Sequence, residues 1–170
     1  MNTPHKIKLY IVPILWIGFL TAIDQLTKFI IRSNYELGES HPIIQDVFHF
    51  TYVQNTGVAW GMFKGGRVIF ILLTIVVLGF CGYIYHNICD VKKFLPVKIC
   101  MTFLISGAIG NLIDRISLHY VVDFFDFTLI NFPVFNVADI YVTVSMFLLI
   151  ILCFFVYKNE DIDWMLGDKE

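Results

Sequence analysis

Apolar positions fall into four long runs, Leu9 to Ile31, Val68 to Tyr85, Val97 to Ile113 and Val137 to Tyr157. Each is near the ~20 residues a helix needs to span bilayer hydrocarbon. The second run, and the fourth from Ile140 onward, contain no charged residue and are the plainest spans. The third is short and holds Gly107 and Gly110, so it depends on close packing with its neighbours. A different period appears between the first two runs. From Ile43 to Gln54, Phe48, Phe50 and Tyr52 alternate with His49, Thr51 and Val53, which predicts a strand in a small sheet on the membrane surface. The predicted fold is an all-α membrane protein: one domain over residues 1–170, four transmembrane helices and a small β cradle.

Polar residues break this pattern at few places. Asp24 and Lys28 are one helical turn apart, so they share a face of the first helix and can neutralise each other. Gly107, Gly110, Asn111 and Asp114 recur at i, i+3, i+4 and i+7, a single stripe of the third helix. Glycines there permit close helix approach, and the polar pair can bond across an interface. Asn136 and Asp139 stand at the start of the fourth helix, as an N-cap and an acid at N3 that favours the positive end of the dipole. Capping does not account for a second carboxylate, Asp123, set among Val121, Val122, Phe124 and Phe125.

Composition supports the membrane reading: 58% of residues are hydrophobic, 15% are charged, and mean hydropathy is +0.74. The net charge of -2 gives no sign of a nucleic-acid partner. Lys6 and Lys8 before an apolar run resemble a signal peptide, but Asp24 and Lys28 stand where a small-residue cleavage site is expected. The first helix is therefore read as retained. Lys6, Lys8, Lys92, Lys93, Lys98, Lys158 and Lys169 lie on one side, against Arg32, Lys64, Arg67 and Arg115 on the other, which predicts both termini in the cytoplasm. The acidic tail from Glu160 to Glu170 reads as a solvated end. Cys81, Cys89, Cys100 and Cys153 fall in helices or toward the cytoplasmic side, with no metal-type spacing. No internal repeat supports an inverted-repeat transporter.

With both termini inside, the first and third helices end at the outer face and the second and fourth begin there, so the polar groups gather at one end. Two carboxylates about 4 Å apart in a partly dry site repel by about 4 kcal/mol at an effective dielectric near 20, so that one proton is shared between them. Such a dyad can activate water against a peptide carbonyl while its protonated member hydrogen-bonds the oxyanion. HExxH, GxSxG and GxxxxGK[ST] are all absent. His41, His49, His86 and His119 are scattered, so neither a metal nor another cofactor is expected. Ser106 and Lys98 share the third helix without a clear relation to the outer face, which leaves a Ser/Lys peptidase weakly supported.

Five blocks, DQLTK (Asp24 to Lys28), QNTGVAWG (Gln54 to Gly61), GAIGNLIDR (Gly107 to Arg115), VVDF (Val121 to Phe124) and FNVAD (Phe135 to Asp139), together resemble the lipoprotein signal peptidase family, over nearly the whole chain. The resemblance implies an aspartic membrane peptidase of the bacterial inner membrane, with Asp123 and Asp139 as its catalytic pair. It implies a substrate, a prolipoprotein carrying a diacylglyceryl group on its lipobox cysteine, cut immediately before that cysteine at the membrane surface. It further implies that Asp24, Lys28, Asn55, Gly107, Asn111, Asp114, Arg115, Asn136 and Ala138 shape or support the site. The family's sheet cradle and short periplasmic helix would correspond to the region around Ile43 to Gly61 and the stretch after Arg115. The expected partners are the prolipoprotein and membrane lipid, and the expected state is a monomer.

Two positions depart from the family pattern: His119 stands where many members have Gly, and Ile140 where Ser often follows the FNxAD aspartate. Altered loop behaviour is expected from these, with the chemistry kept. The main alternative is a small transporter or channel subunit lined by Asp24, Lys28, Asn111 and Asp139. It calls for polar groups at mid-membrane depth, whereas Ile71 to Val77 and Phe147 to Phe155 are almost purely apolar. A purely structural four-helix protein leaves the outer carboxylates without a task.

Overall fold

The computed structural model describes residues 3–57 and 66–168, with side chains from Lys8 onward. The latter part of the Gln54 to Gly61 block and Lys64 lie outside the described residues, as do the side chain of Lys6 and all of Lys169. Helices α1 (Thr3–Asn34), α2 (Arg67–Ile88), α3 (Leu95–Ser117) and α4 (Val137–Ile151, continued by a π turn at Leu152–Val156) supply four segments long and apolar enough to cross a membrane. The expected class therefore holds, four helices with a small sheet. α3 is the central helix, packed against α1, α2 and α4. Its span is 39% buried, against 6–17% in the others. That order follows from sequence, because α2 and α4 are apolar all round and can face lipid, whereas the glycine and polar stripe of α3 needs protein partners.

α1 contains Pro13, which cannot donate to the carbonyl of Leu9 four residues earlier. The hydroxyl of Tyr85 on α2 donates to that carbonyl at 3.0 Å instead. A freed backbone acceptor is costly in lipid, so this bond satisfies the Leu9 carbonyl and ties α2 to α1 at the same time.

At one end of the bundle lies a three-stranded antiparallel sheet in the order β1 (Ser40–Ile44), β2 (Phe48–Asn55), β3 (Val121–Asp126). The single strand expected from Ile43 to Gln54 is in fact a hairpin. Its chain turns at Gln45–Val47, where Asp46 takes a φ of 58°, a left-handed position that a short Asx side chain tolerates. The stretch after Arg115 supplies the third strand before a single 3-10 turn at Thr128–Ile130. Strand alternation then divides β3: Val122 and Phe124 pack with Ile31 and Tyr52 in a buried cluster, so Asp123 points to the opposite face.

A second apolar cluster, including Ile88, Phe94, Val97, Met101 and Tyr157, closes the other end. It also takes in Met165 of α5 (Asn159–Leu166), which corrects the reading of the acidic tail as a solvated end. Asp161 pairs with Lys93, and Asn87 and Tyr83 of α2 donate to the carbonyls of Met165 and Leu166. The charge run hid an amphipathic helix whose one deeply buried residue is Met165.

Candidate active site

Asp123 on β3 and Asp139 in the first turn of α4 meet at the sheet end of the bundle, joined through Asn136. The Asn136 backbone N–H donates to Asp139 Oδ2 at 3.1 Å, and the Asn136 side-chain Oδ1 accepts the Asp139 backbone N–H at 3.0 Å. This is a reciprocal capping box. The Asn136 Nδ2 then donates to Asp123 Oδ1 at 2.6 Å. One residue thus holds both carboxylates. Asn55, at the end of β2, donates to the other Asp123 oxygen at 2.8 Å and anchors the next turn by accepting the Gly57 N–H.

The two acids differ in environment. Asp123 is 2% exposed, while Asp139 is only half-buried. Burial, then the charge of Asp139, pushes the Asp123 carboxyl from an ordinary 3.8 up to about 7, against the opposing pull of the Asn55 and Asn136 hydrogen bonds. Asp123 is therefore the member that keeps a proton toward neutral pH, and Asp139 the one open to water.

Behind the pair lies a buried charge network. Lys28 Nζ sits 2.9 Å from Asp24 and 3.1 Å from Asp114, so the expected Asp24–Lys28 pair has a second acid. Lys28 also donates to Asn111 Oδ1 at 2.8 Å. A lysine can only donate, so it fixes the amide orientation and leaves Asn111 Nδ2 to donate to Asp139 Oδ1 at 2.8 Å. The remaining Asp24 oxygen accepts the backbone N–H of Ala138 at 2.9 Å, and Asp114 accepts that of Val122 at 3.1 Å. α1 and α3 thereby hold, through carboxylates, the residues next to each member of the pair. Arg115 donates to the Asn111 carbonyl and stacks its guanidinium 5.3 Å from the Phe70 ring centre.

Two glycines make this convergence possible. A β-carbon at Gly107 would collide with the Ala138 carbonyl oxygen and stand 2.9 Å from Val142 Cγ2; at Gly110 it would collide with the Asp24 carboxylate. All eleven residues singled out from the sequence thus lie in one contiguous network. Gln25 was missed. Its amide donates to Asp24, Asp114 and the Gly110 carbonyl at 3.0–3.2 Å, bridging the two acids around Lys28. A neutral amide beside a charge in a membrane helix was the available signal.

The family model described as signal peptidase (SPase) II matches residues 16–155. The chain belongs to that family. A lipoprotein signal peptidase of Brevibacillus brevis is 44% identical over 141 residues, 83% of this chain and 93% of that one. Another, of Clostridioides difficile, is 43% identical over 148 residues, covering 86% and 98%. A bacterial membrane enzyme solved by the in meso method at 2.3 Å superposes with a TM-score of 0.75 at 32% identity, covering 95% of this chain and 93% of its own. Membership makes the chain a multi-pass membrane protease of lipoprotein processing.

Proposed function

We propose that this family member is an aspartic endopeptidase that removes the signal peptide from diacylglyceryl-modified prolipoproteins, cutting immediately before the lipidated cysteine. The observation that carries the reading is the asymmetric pair: Asp123, buried with a carboxyl pKa of about 7, and half-exposed Asp139, both bonded to Asn136. Asp139 takes a proton from water as its oxygen attacks the scissile carbonyl carbon, and Asp123 gives its proton to the carbonyl oxygen. The tetrahedral diol then collapses. Asp139 passes its proton to the leaving nitrogen, the C–N bond breaks, and a diol hydroxyl returns a proton to Asp123.

Asn55, Asn111 and Asn136 orient the pair; Asp24, Lys28 and Asp114 hold Asn111 and the first turn of α4; Gly107 and Ala138 set the α3–α4 contact; and Arg115 contributes positive charge nearby. The sheet end faces outward and both termini face the cytoplasm of a bacterial inner membrane, in keeping with the lysine-rich opposite end. Both acids come from one chain, so a monomer suffices.

Purified protein in detergent should cleave a diacylglyceryl-modified precursor and leave the unmodified precursor largely uncut. Asp123→Asn and Asp139→Asn should each lower turnover by about 10³-fold or more while the protein stays inserted and folded, since an amide keeps the shape but cannot exchange the proton. Substantial turnover in either variant removes the dyad. Failure to cut either precursor removes the peptidase assignment.

A further inference from the structure

Away from the carboxylates, α1 and α3 are separated on their lipid-facing side by a groove that the peptidase chemistry does not use. It consists of two adjoining cavities of about 320 and 340 Å³ that share Trp16, Ile99 and Thr102. Lys8 and Lys98 line the end farther from the sheet, and Leu20 and Phe103 the deeper end. Among the described residues no carboxylate lines either cavity. Lys98 donates to the uncharged carbonyls of Cys89 and Val91, and Lys8 is exposed. At 1.5 Å per residue, Leu20 lies about 18 Å along α1 from Lys8, close to half of a ~30 Å hydrocarbon core. The groove therefore has the length of one leaflet, a cationic mouth at headgroup depth and an apolar floor.

We propose that this groove binds one anionic phospholipid of the leaflet at the α1 N-terminal side, its phosphate between Lys8 and Lys98 and an acyl chain along Trp16, Ile99 and Phe103. The two lysines select negative charge over a zwitterionic headgroup, and the apolar floor favours an anion that carries an acyl chain over a free one, which gains nothing from it. Pro13 lines the same wall, and Tyr85, which bonds the Leu9 carbonyl that Pro13 leaves without its helical donor, lines it too, so an occupying lipid would brace α1 against α2 and α3.

Native mass spectrometry of the full chain, released from detergent after equilibration with phosphatidylglycerol or phosphatidylcholine of the same acyl chains, tests this. The wild type should retain one phosphatidylglycerol at least tenfold more tightly than phosphatidylcholine, and added glycerol phosphate should not compete. Lys8→Gln should weaken phosphatidylglycerol about fivefold, and Lys8→Gln/Lys98→Gln should remove the preference. Lys98 also bonds the end of α2, so if the double variant fails to fold, Lys8→Gln with Phe103→Ala carries the test, and it should lose both charge selection and tail contact. Equal retention of the two lipids by the wild type, competition by glycerol phosphate, or an unchanged preference in Lys8→Gln would overturn the proposal.

Discussion

His119 adopts a φ of 74°, a left-handed conformation that costs a residue with a β-carbon about 1–2 kcal/mol. It is the exposed pivot between the α3 C-cap, Leu118, and β3, where the resemblance marked a glycine in many relatives. His119→Gly should raise the thermal midpoint, with a net gain of about 0.5–1 kcal/mol once the looser unfolded chain is counted. His119→Ala, which keeps the β-carbon, should not, and equal midpoints for the two variants would show that strain is not the difference. Other residue-scale features were legible because they are local. Asn136 and Asp139 announced a helix start, and the same three-residue spacing that makes the capping box brings the Asn136 amide beside Asp139. The bonds of Asp114 to Val122 N–H and of Asn55 to Asp123 depend on where separate elements dock, which no local spacing encodes.

At the scale of elements, the spans were readable because lipid demands long apolar runs, and the α3 stripe because its period matches a helix. β3 was not, since VVDFF is a short run whose strand pairing comes from β2 far away in sequence, and α5 was masked by its acidic outer face. The α1–α3 contact rests on Gly110, whose missing side chain leaves room for the Asp24 carboxylate to reach Ala138. Gly110→Ala should push Asp24 off that N–H and loosen Lys28, lowering stability by about 1–3 kcal/mol and turnover by at least tenfold. Gly79→Ala is the control: among the described residues, nothing beyond its own helix backbone and chain neighbours lies within 4 Å of its would-be β-carbon. A Gly110→Ala protein as stable and active as the Gly79→Ala protein would mean that α1 does not set the geometry of α4.

Over the whole molecule, alternation of helix direction brings the polar ends of α1 and α3 and the start of α4 to one end, where β3 adds Asp123. That gathering makes stability depend on pH in a set direction. Asp123 has a folded pKa of about 7 against an ordinary 3.8, so the folded state holds its proton more tightly than the unfolded chain does. The contribution is complete below about pH 4, erodes as pH rises, and is gone above about pH 7, a range worth on the order of 4 kcal/mol. Wild-type thermal midpoints should therefore fall between pH 5 and pH 8, and Asp123→Asn, which cannot titrate, should flatten that fall. Activity shares the origin. The kcat/KM profile should be bell-shaped, with an acid limb where both carboxyls are protonated and an alkaline limb near pH 7 where the shared proton leaves. An Asp123→Asn protein that keeps the wild-type fall of stability between pH 5 and pH 8, or a wild-type profile with no alkaline limb, would take the shared proton away from Asp123.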